Sequence, residues 1–398
     1  MTDARFAGTV RRTPVTWLRY AQLGIVAFVI DGYAPTVQLL ARDLDIPIGL
    51  ASLHATAFGS GFIVGALIAP ALARRISRAR SILTGSVGVA VGLGCYLLGG
   101  HLAITLIGIG LTGIFATLVQ SNAFADLSDN PLAVRARLLN EGSALSQIAG
   151  LTAPVLVGIA SASVLGWRVG LAVAFVLVVG SLTLNAVTQR RGVQAQPPVV
   201  EGLPGSRDSF VIVWFSTILV LGIEFATALW APVWLLHSGG VDVALATASP
   251  TCMLLGMVVS RLVLSRIASR TSQDALLIGS VLLSIVGFVA LWLGPSLILG
   301  FGALFVIGLG VGGQFPLSLA RLVTASNHRA DTAAAASTFA LGLAIAAGPA
   351  CLALVEQVVG LRAAMLMIPA FGVAAVVLVL ASTFDLPRIA WFARRDDS

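Results

Sequence analysis

The stretch "IGIGLTGIFATLV", Ile107 to Val119, returns two hundred residues later as "IGLGVGGQFPLSL", Ile307 to Leu319. The two align without a gap and share Gly108/Gly308, Gly110/Gly310, Gly113/Gly313 and Phe115/Phe315. Other pairs keep the same order at nearly the same separation. Ala153-Pro154 matches Gly348-Pro349, "GWR" at Gly166 to Arg168 matches "GLR" at Gly360 to Arg362, and "TGSVGVAVGLG" from Thr84 resembles "IGSVLLSIVGF" from Ile278. Self-similarity at one period indicates a structural unit that occurs twice.

Each unit consists of apolar segments. The 398 residues are 58% hydrophobic and 10% charged, with a mean hydropathy of +0.98, whereas an ordinary soluble domain has about 25% charged residues. A bilayer-spanning helix needs roughly 20 apolar residues. Twelve such runs follow one another, at 17–40, 51–73, 81–100, 102–124, 140–163, 167–187, 210–236, 244–265, 275–294, 296–323, 331–356 and 362–383. The expected fold is therefore all-α and integral to the membrane.

The longest polar interruption, "QRRGVQAQPPVVEGLPGSRDS" at 189–209, reads as a linker. It leaves six helices in an N-terminal bundle, 1–188, and six in a C-terminal bundle with a short tail, 210–398. Six is even, so each half starts and ends on one membrane side and the repeats run parallel. The 42 glycines lie largely inside these runs, where small residues let helix backbones approach closely. The matched clusters in runs 4 and 10 and the bends at Pro154 and Pro349 are the expected moving seams.

The net charge of +7 and pI near 10.5 come from 24 basic residues, all arginine. A nucleic-acid binder would gather them on one solvated face, but here they are scattered among short loops. With the N-terminus inside, only Arg42, Arg168 and Arg362 fall in outward loops, so the rule that cytoplasmic loops are basic places both termini in the cytoplasm. The basic, polar start "MTDARFAGTVRRTPVT" is followed by no small-residue cleavage site, which indicates a retained first helix. Cys95, Cys252 and Cys351 lie inside apolar runs without metal-ligand spacing and read as inert thiols.

Twelve helices as two parallel sixes joined by a cytoplasmic linker resemble the major facilitator superfamily of secondary transporters along almost the whole chain. After helix 2 that family carries a turn of the form GxxxDRxGRR. "PALARRISRAR", Pro70 to Arg80, keeps the basic residues Arg75 and Arg78 but has Arg74 for the aspartate and Ser77 for the later glycine. The corresponding turn after helix 8 is "SRLVLSRIASR", Ser260 to Arg270. "GLTAPVLVG", Gly150 to Gly158, is similar to the Gly-Pro motif of the family's exporters, with Ala153 replacing the glycine before Pro154. Proton–drug exchangers of the family tend to carry an arginine early in helix 4, where this chain has Ile104.

Two acids lie deep in apolar runs. Asp31, in "GIVAFVIDGYAPTVQLL", is twelve residues from Arg19 and eleven from Arg42, near the bilayer midplane. An acid there costs about 2.5–3.5 kcal/mol on insertion scales, so it must face the bundle interior, water or a partner. Superposing the halves on Pro35 and Pro232 puts Glu224 one helical turn from the counterpart of Asp31. Both helices are inner ones in the family, so the two acids are expected to line one cavity as a proton or substrate-cation site. Such an acid can take up and release a proton within a transport cycle. The alternative is a structural carboxylate held by neighbouring polar groups.

Arg261 lies five residues before Arg266, which suits either snorkelling to the interface or a role as counter-ion to Glu224 or anion ligand. Gln120, Asn122, Gln314 and Trp230 are candidate cavity hydrogen-bonders, whereas Trp234 reads as an interfacial anchor. His54, near the outer end of its run, is expected to be satisfied locally.

No phosphate-cradling GxxxxGK[ST] loop, nucleophile–histidine pair or metal-ligand cluster is present in the sequence, so neither an enzyme nor a cofactor is expected. The reading is a monomeric inner- or plasma-membrane transporter of a small organic molecule working by alternating access, proton-coupled and suited to export. Its rivals are an uptake symporter or facilitator for an organic anion, and a non-transporting sensor on the same fold.

Overall fold

A computed structural model describes residues 12–128, 132–189, 207–238, 240–267, 271–294, 296–326 and 330–393. Twelve helices are long and apolar enough to cross a membrane. They are α1 (Pro14–Asp43), α2 (Ile48–Ile76), α3 (Arg78–Leu98), α4 (Leu102–Leu127), α5 (Glu141–Ser161), α6 (Trp167–Asn185), α7 (Phe210–His237), α8 (Val243–Leu264), α9 (Gln273–Leu293), α10 (Leu297–Ala325), α11 (Ala336–Val359) and α12 (Leu361–Ser382). Most of the linker expected at 189–209, the first eleven residues and the end of the tail lie outside the described residues.

Local chemistry explains the boundaries. The Thr13 hydroxyl accepts from the Thr16 amide and Pro14 opens the first turn, so α1 starts three residues before the apolar run. Four spans are interrupted: α2 at Ser52, α8 at Ser249, before Pro250, α10 at Gly312–Gly313, and α12 near Met365–Leu366. The turn between α2 and α3 rests on Ser77, at φ 77° and ψ 153°. Side chains such as Val173, Val176 and Leu177 on α6, or Val373 and Val377 on α12, are exposed at helical spacing and form the faces offered to lipid.

Within each half, glycines make the seams tight. Gly61 and Gly65 of α2 abut the α4 backbone at Gly110 and Ile114, and Gly113 abuts Phe58; across the α8–α10 seam, Gly256 meets Phe305 and Gly308 meets Met253. The glycine clusters of α4 and α10 therefore pack inside the halves. The seams between halves use other residues. Gly59 of α2 lies on Gly342 and Ala346 of α11, and Gly158 of α5 lies on Ala244 and Ala248 of α8. Two hydrogen bonds cross as well, Gln38 Nε2 to Thr247 Oγ1 at 3.3 Å and Thr56 Oγ1 to the Ala346 carbonyl at 3.0 Å. These bonds and seams gather in the part of the bundle farther from the chain termini, here the far end; the opposite end is the linker end.

Each half is also tied at its own ends. At the linker end Arg19, only 4% exposed, donates to Asp126 at 2.7 Å and to Gln22 and Asn185. Arg78 reaches the same Asp126 at 3.2 Å. At the far end Asp43 accepts from Trp167 Nε1 at 2.9 Å and pairs with Arg168. His54, fully buried, meets the Ala51 carbonyl and the Thr105 hydroxyl, so it is satisfied locally.

Candidate functional site

The centre of the molecule is where α1, α7 and α8 bring three charged side chains together. Asp31 of α1, Glu224 of α7 and Arg261 of α8 are each half-buried; the two acids sit well inside their helices, and Arg261 is in the last turn of its span. They lie near enough to interact electrostatically: Asp31 feels Glu224 and Arg261, and Arg261 feels both acids. Yet among the described residues no ion pair within 4.0 Å and no hydrogen bond joins any two of them. Two acids and a guanidinium therefore share a field without a direct bond between them.

The backbone around them explains the placement. Asp31 is flanked by an α1–α5 seam in which Gly24 meets Ala149 and Gly32 meets Ala153 and Leu171. Gly150 completes it: its missing Cβ leaves the space that Asp31 Oδ2 fills. Arg261 makes one described hydrogen bond to the backbone of α10. Its Nε donates to the Gly312 carbonyl at 3.1 Å, at the break in α10, which anchors the guanidinium inward.

Three of the four other expected site residues are engaged elsewhere. Trp230 is fully buried, and its indole N–H donates to the Pro349 carbonyl at 3.2 Å. It ties α7 to α11 at Pro349, because a buried indole must find an acceptor. Asn122, 4% exposed, donates to Ser81 and to the Leu118 carbonyl, joining α4 to α3. Gln314 is buried against Ser284 of α9, at 3.2 Å, inside the C-terminal half. Only Gln120 remains half-exposed among these four. Trp234 is not interfacial; it is 2% exposed and donates to the Leu291 carbonyl.

The conformational motif divides similarly. Arg75 is exposed, while Arg78 is half-buried against Asp126. Pro154 lies inside α5 and Pro349 inside α11, where Gly348 approaches Gly222 of α7. Sequence reasoning missed Asp126, which supplies from α4 the acid that Arg74 displaced from the turn. The only available signal was an acid at the end of an apolar run. Among the described residues no group of three His, Cys, Asp or Glu side chains is arranged to hold a metal ion.

The family model of the Major Facilitator Superfamily matches residues 21–349. Among curated proteins, a chloramphenicol resistance protein from Streptomyces lividans is 30% identical over 154 residues, which is 37% of this chain and 36% of that protein. The matched stretch thus spans about a third of that relative's length. Among solved structures, the crystal structure of the peptide transporter POT in complex with sulfate superposes with a TM-score of 0.76 at 14% identity, covering 94% of both chains. A POT family transporter in complex with 5-aminolevulinic acid gives 0.76 at 12% identity, over 94% of this chain and 96% of that one. Family match and twelve-helix architecture agree, and the chain belongs to the Major Facilitator Superfamily, as a multi-pass membrane transporter and not an enzyme.

Proposed function

We propose that the chain is a proton-coupled secondary transporter that exports a small organic molecule, with Asp31 and Glu224 as the proton-carrying groups and Arg261 as their shared counter-charge. The observation that carries this reading is the unbonded triad of charges contributed by both halves. When Arg261 is balanced by one acid, the other is left with an uncompensated charge in low dielectric, so a proton or a cationic group of the solute is favoured there. Loading and discharging that position changes the interaction between the halves at the place where they meet, which is what coupling requires.

Export is supported by the similarity to the chloramphenicol resistance protein and by the Gly150–Pro154 segment. The arginine distribution supports cytoplasmic termini in an inner or plasma membrane. In that orientation the described contacts between halves close the outward side. The working unit in this reading is the monomer, since both halves of the site come from one chain.

Transport into proteoliposomes under an imposed pH gradient tests the reading, with chloramphenicol as the first probe. Asp31→Asn and Glu224→Gln should each abolish gradient-driven accumulation; normal accumulation by both variants rejects the coupling role. A second reading, movement of an organic anion held by Arg261, draws on the inward anchoring of that guanidinium. Arg261→Glu should then abolish binding of an anionic solute while leaving the fold intact.

A further inference from the structure

Below the break at Gly312–Gly313, the lower segment of α10, Gln314–Ala325, carries Gln314, Ser318 and Arg321 four and three residues apart, so they share one helix face. All three are buried, at 1%, 1% and 6% exposure, and each has a polar atom without a partner: Gln314 Oε1, Ser318 Oγ and Arg321 Nη1. Their remaining polar atoms are engaged. Gln314 Nε2 donates to Ser284 Oγ of α9, Arg321 Nε to Asp274 Oδ1 of α9 at 2.7 Å, and Arg321 Nη2 to Ser382 Oγ of α12 at 2.7 Å.

Ser318 differs from its neighbours in a telling way. Ser280, Ser284 and Ser382 each donate to a carbonyl one turn back, the usual solution for a hydroxyl in an apolar helix. Ser318 does not, which leaves its proton and lone pairs for something between the helices. An orphaned acceptor, an orphaned hydroxyl and an orphaned donor in a row of roughly 10 Å match water, which donates and accepts and is held by two to four polar partners. An apolar occupant would satisfy none of them. An ion would meet opposite requirements, since Arg321 offers donors and Gln314 an acceptor.

We propose that the C-terminal half holds a file of bound water molecules along α10, from the Arg321–Asp274–Ser382 cluster at the linker end up to Gln314 at the α10 break. The upper end lies two residues from Gly312, whose carbonyl receives Arg261. In function, such a file would carry linker-end solvent to within two residues of the carbonyl that anchors Arg261. That role, though not the existence of the file, rests on the proton-coupling reading.

A structure of the full chain in lipid nanodiscs, at a resolution that shows ordered water elsewhere in the protein, tests the file directly. Density within hydrogen-bond distance of Ser318 Oγ, Gln314 Oε1 and Arg321 Nη1 is expected. Thermal unfolding gives an independent sign. Removing a hydroxyl that anchors water should lower the melting temperature of Ser318→Ala by about 1–3 °C, whereas deleting an orphan from a dry gap should leave it unchanged or raise it. A bare map, or a Ser318→Ala variant as stable as the parent, overturns the proposal. Either result leaves the transport phenotypes of Asp31→Asn and Glu224→Gln untouched, so failure of the file and failure of the coupling reading are distinguishable.

Discussion

Ser77 occupies φ 77° and ψ 153°, a region of backbone space in which a Cβ is crowded and glycine is nearly alone. The turns before α6 and α12 place glycines, Gly166 and Gly360, at positive φ. The strain at Ser77 is worth about 1–3 kcal/mol, partly offset by its hydroxyl accepting from the Arg80 amide. Ser77→Gly should therefore raise the melting temperature; an unchanged or lower value contradicts the strain. Gly150 makes the opposite prediction. Alanine in a helix is ordinarily favoured over glycine by about 1 kcal/mol, but here its Cβ would meet the Asp31 carboxylate. Gly150→Ala should thus destabilise the parent and stop being harmful in an Asp31→Ala background. Equal effects in both backgrounds would show that the two groups do not touch. At this scale the sequence discloses which residues are out of place in lipid, hence Asp31 and Glu224, because insertion cost alone marks them. It does not disclose which way a side chain turns. No sequence pattern pairs Arg261 with the Gly312 carbonyl that its Nε meets, and Trp230 and Gln314 face their own half because buried partners on α11 and α9 claim them.

Among the elements, Asp126 is the acid on which two helices depend. It sits at the end of α4 and accepts from Arg19 of α1, whose side chain is 5% exposed, and from Arg78 of α3. Asp126→Asn would leave the Arg19 charge without its carboxylate. Loss of a fully buried pair costs about 3–5 kcal/mol; with Asp126 24% exposed, roughly 1–3 kcal/mol is expected after screening. Thermal unfolding checks it, and a shift near zero would show that the ion pairs are dispensable. The twelve spans were legible because twenty apolar residues have few alternatives to a membrane helix, and polar runs separate them cleanly. The breaks in α8 and α10 were not read, since Ser249-Pro250 and Gly312-Gly313 lie within unbroken apolar stretches and hydropathy averages over them. The α4 and α10 glycines, candidate moving seams in the sequence, pack within halves. Small residues announce close approach without saying to which neighbour.

Over the whole molecule, the halves meet through α2 on α11 and α5 on α8, with Gln38–Thr247 and Thr56–Ala346 as the described hydrogen bonds between them. All of these hold the far end together, and the triad of Asp31, Glu224 and Arg261 lies between that end and the linker end. If the halves rock about the triad, opening one end must close the other, and the charge on the two acids must set the balance. Electron–electron double resonance can follow both ends in a chain whose Cys95, Cys252 and Cys351 have been replaced. One spin-label pair at Leu98→Cys and Val358→Cys reports the far end, and another at Arg80→Cys and Thr324→Cys reports the linker end. Distances should be recorded at acidic and at neutral pH. The account predicts reciprocal changes in the two pairs between these conditions, and their loss when Asp31→Asn and Glu224→Gln are combined; distances that ignore pH, or that shift equally in the double variant, would contradict it.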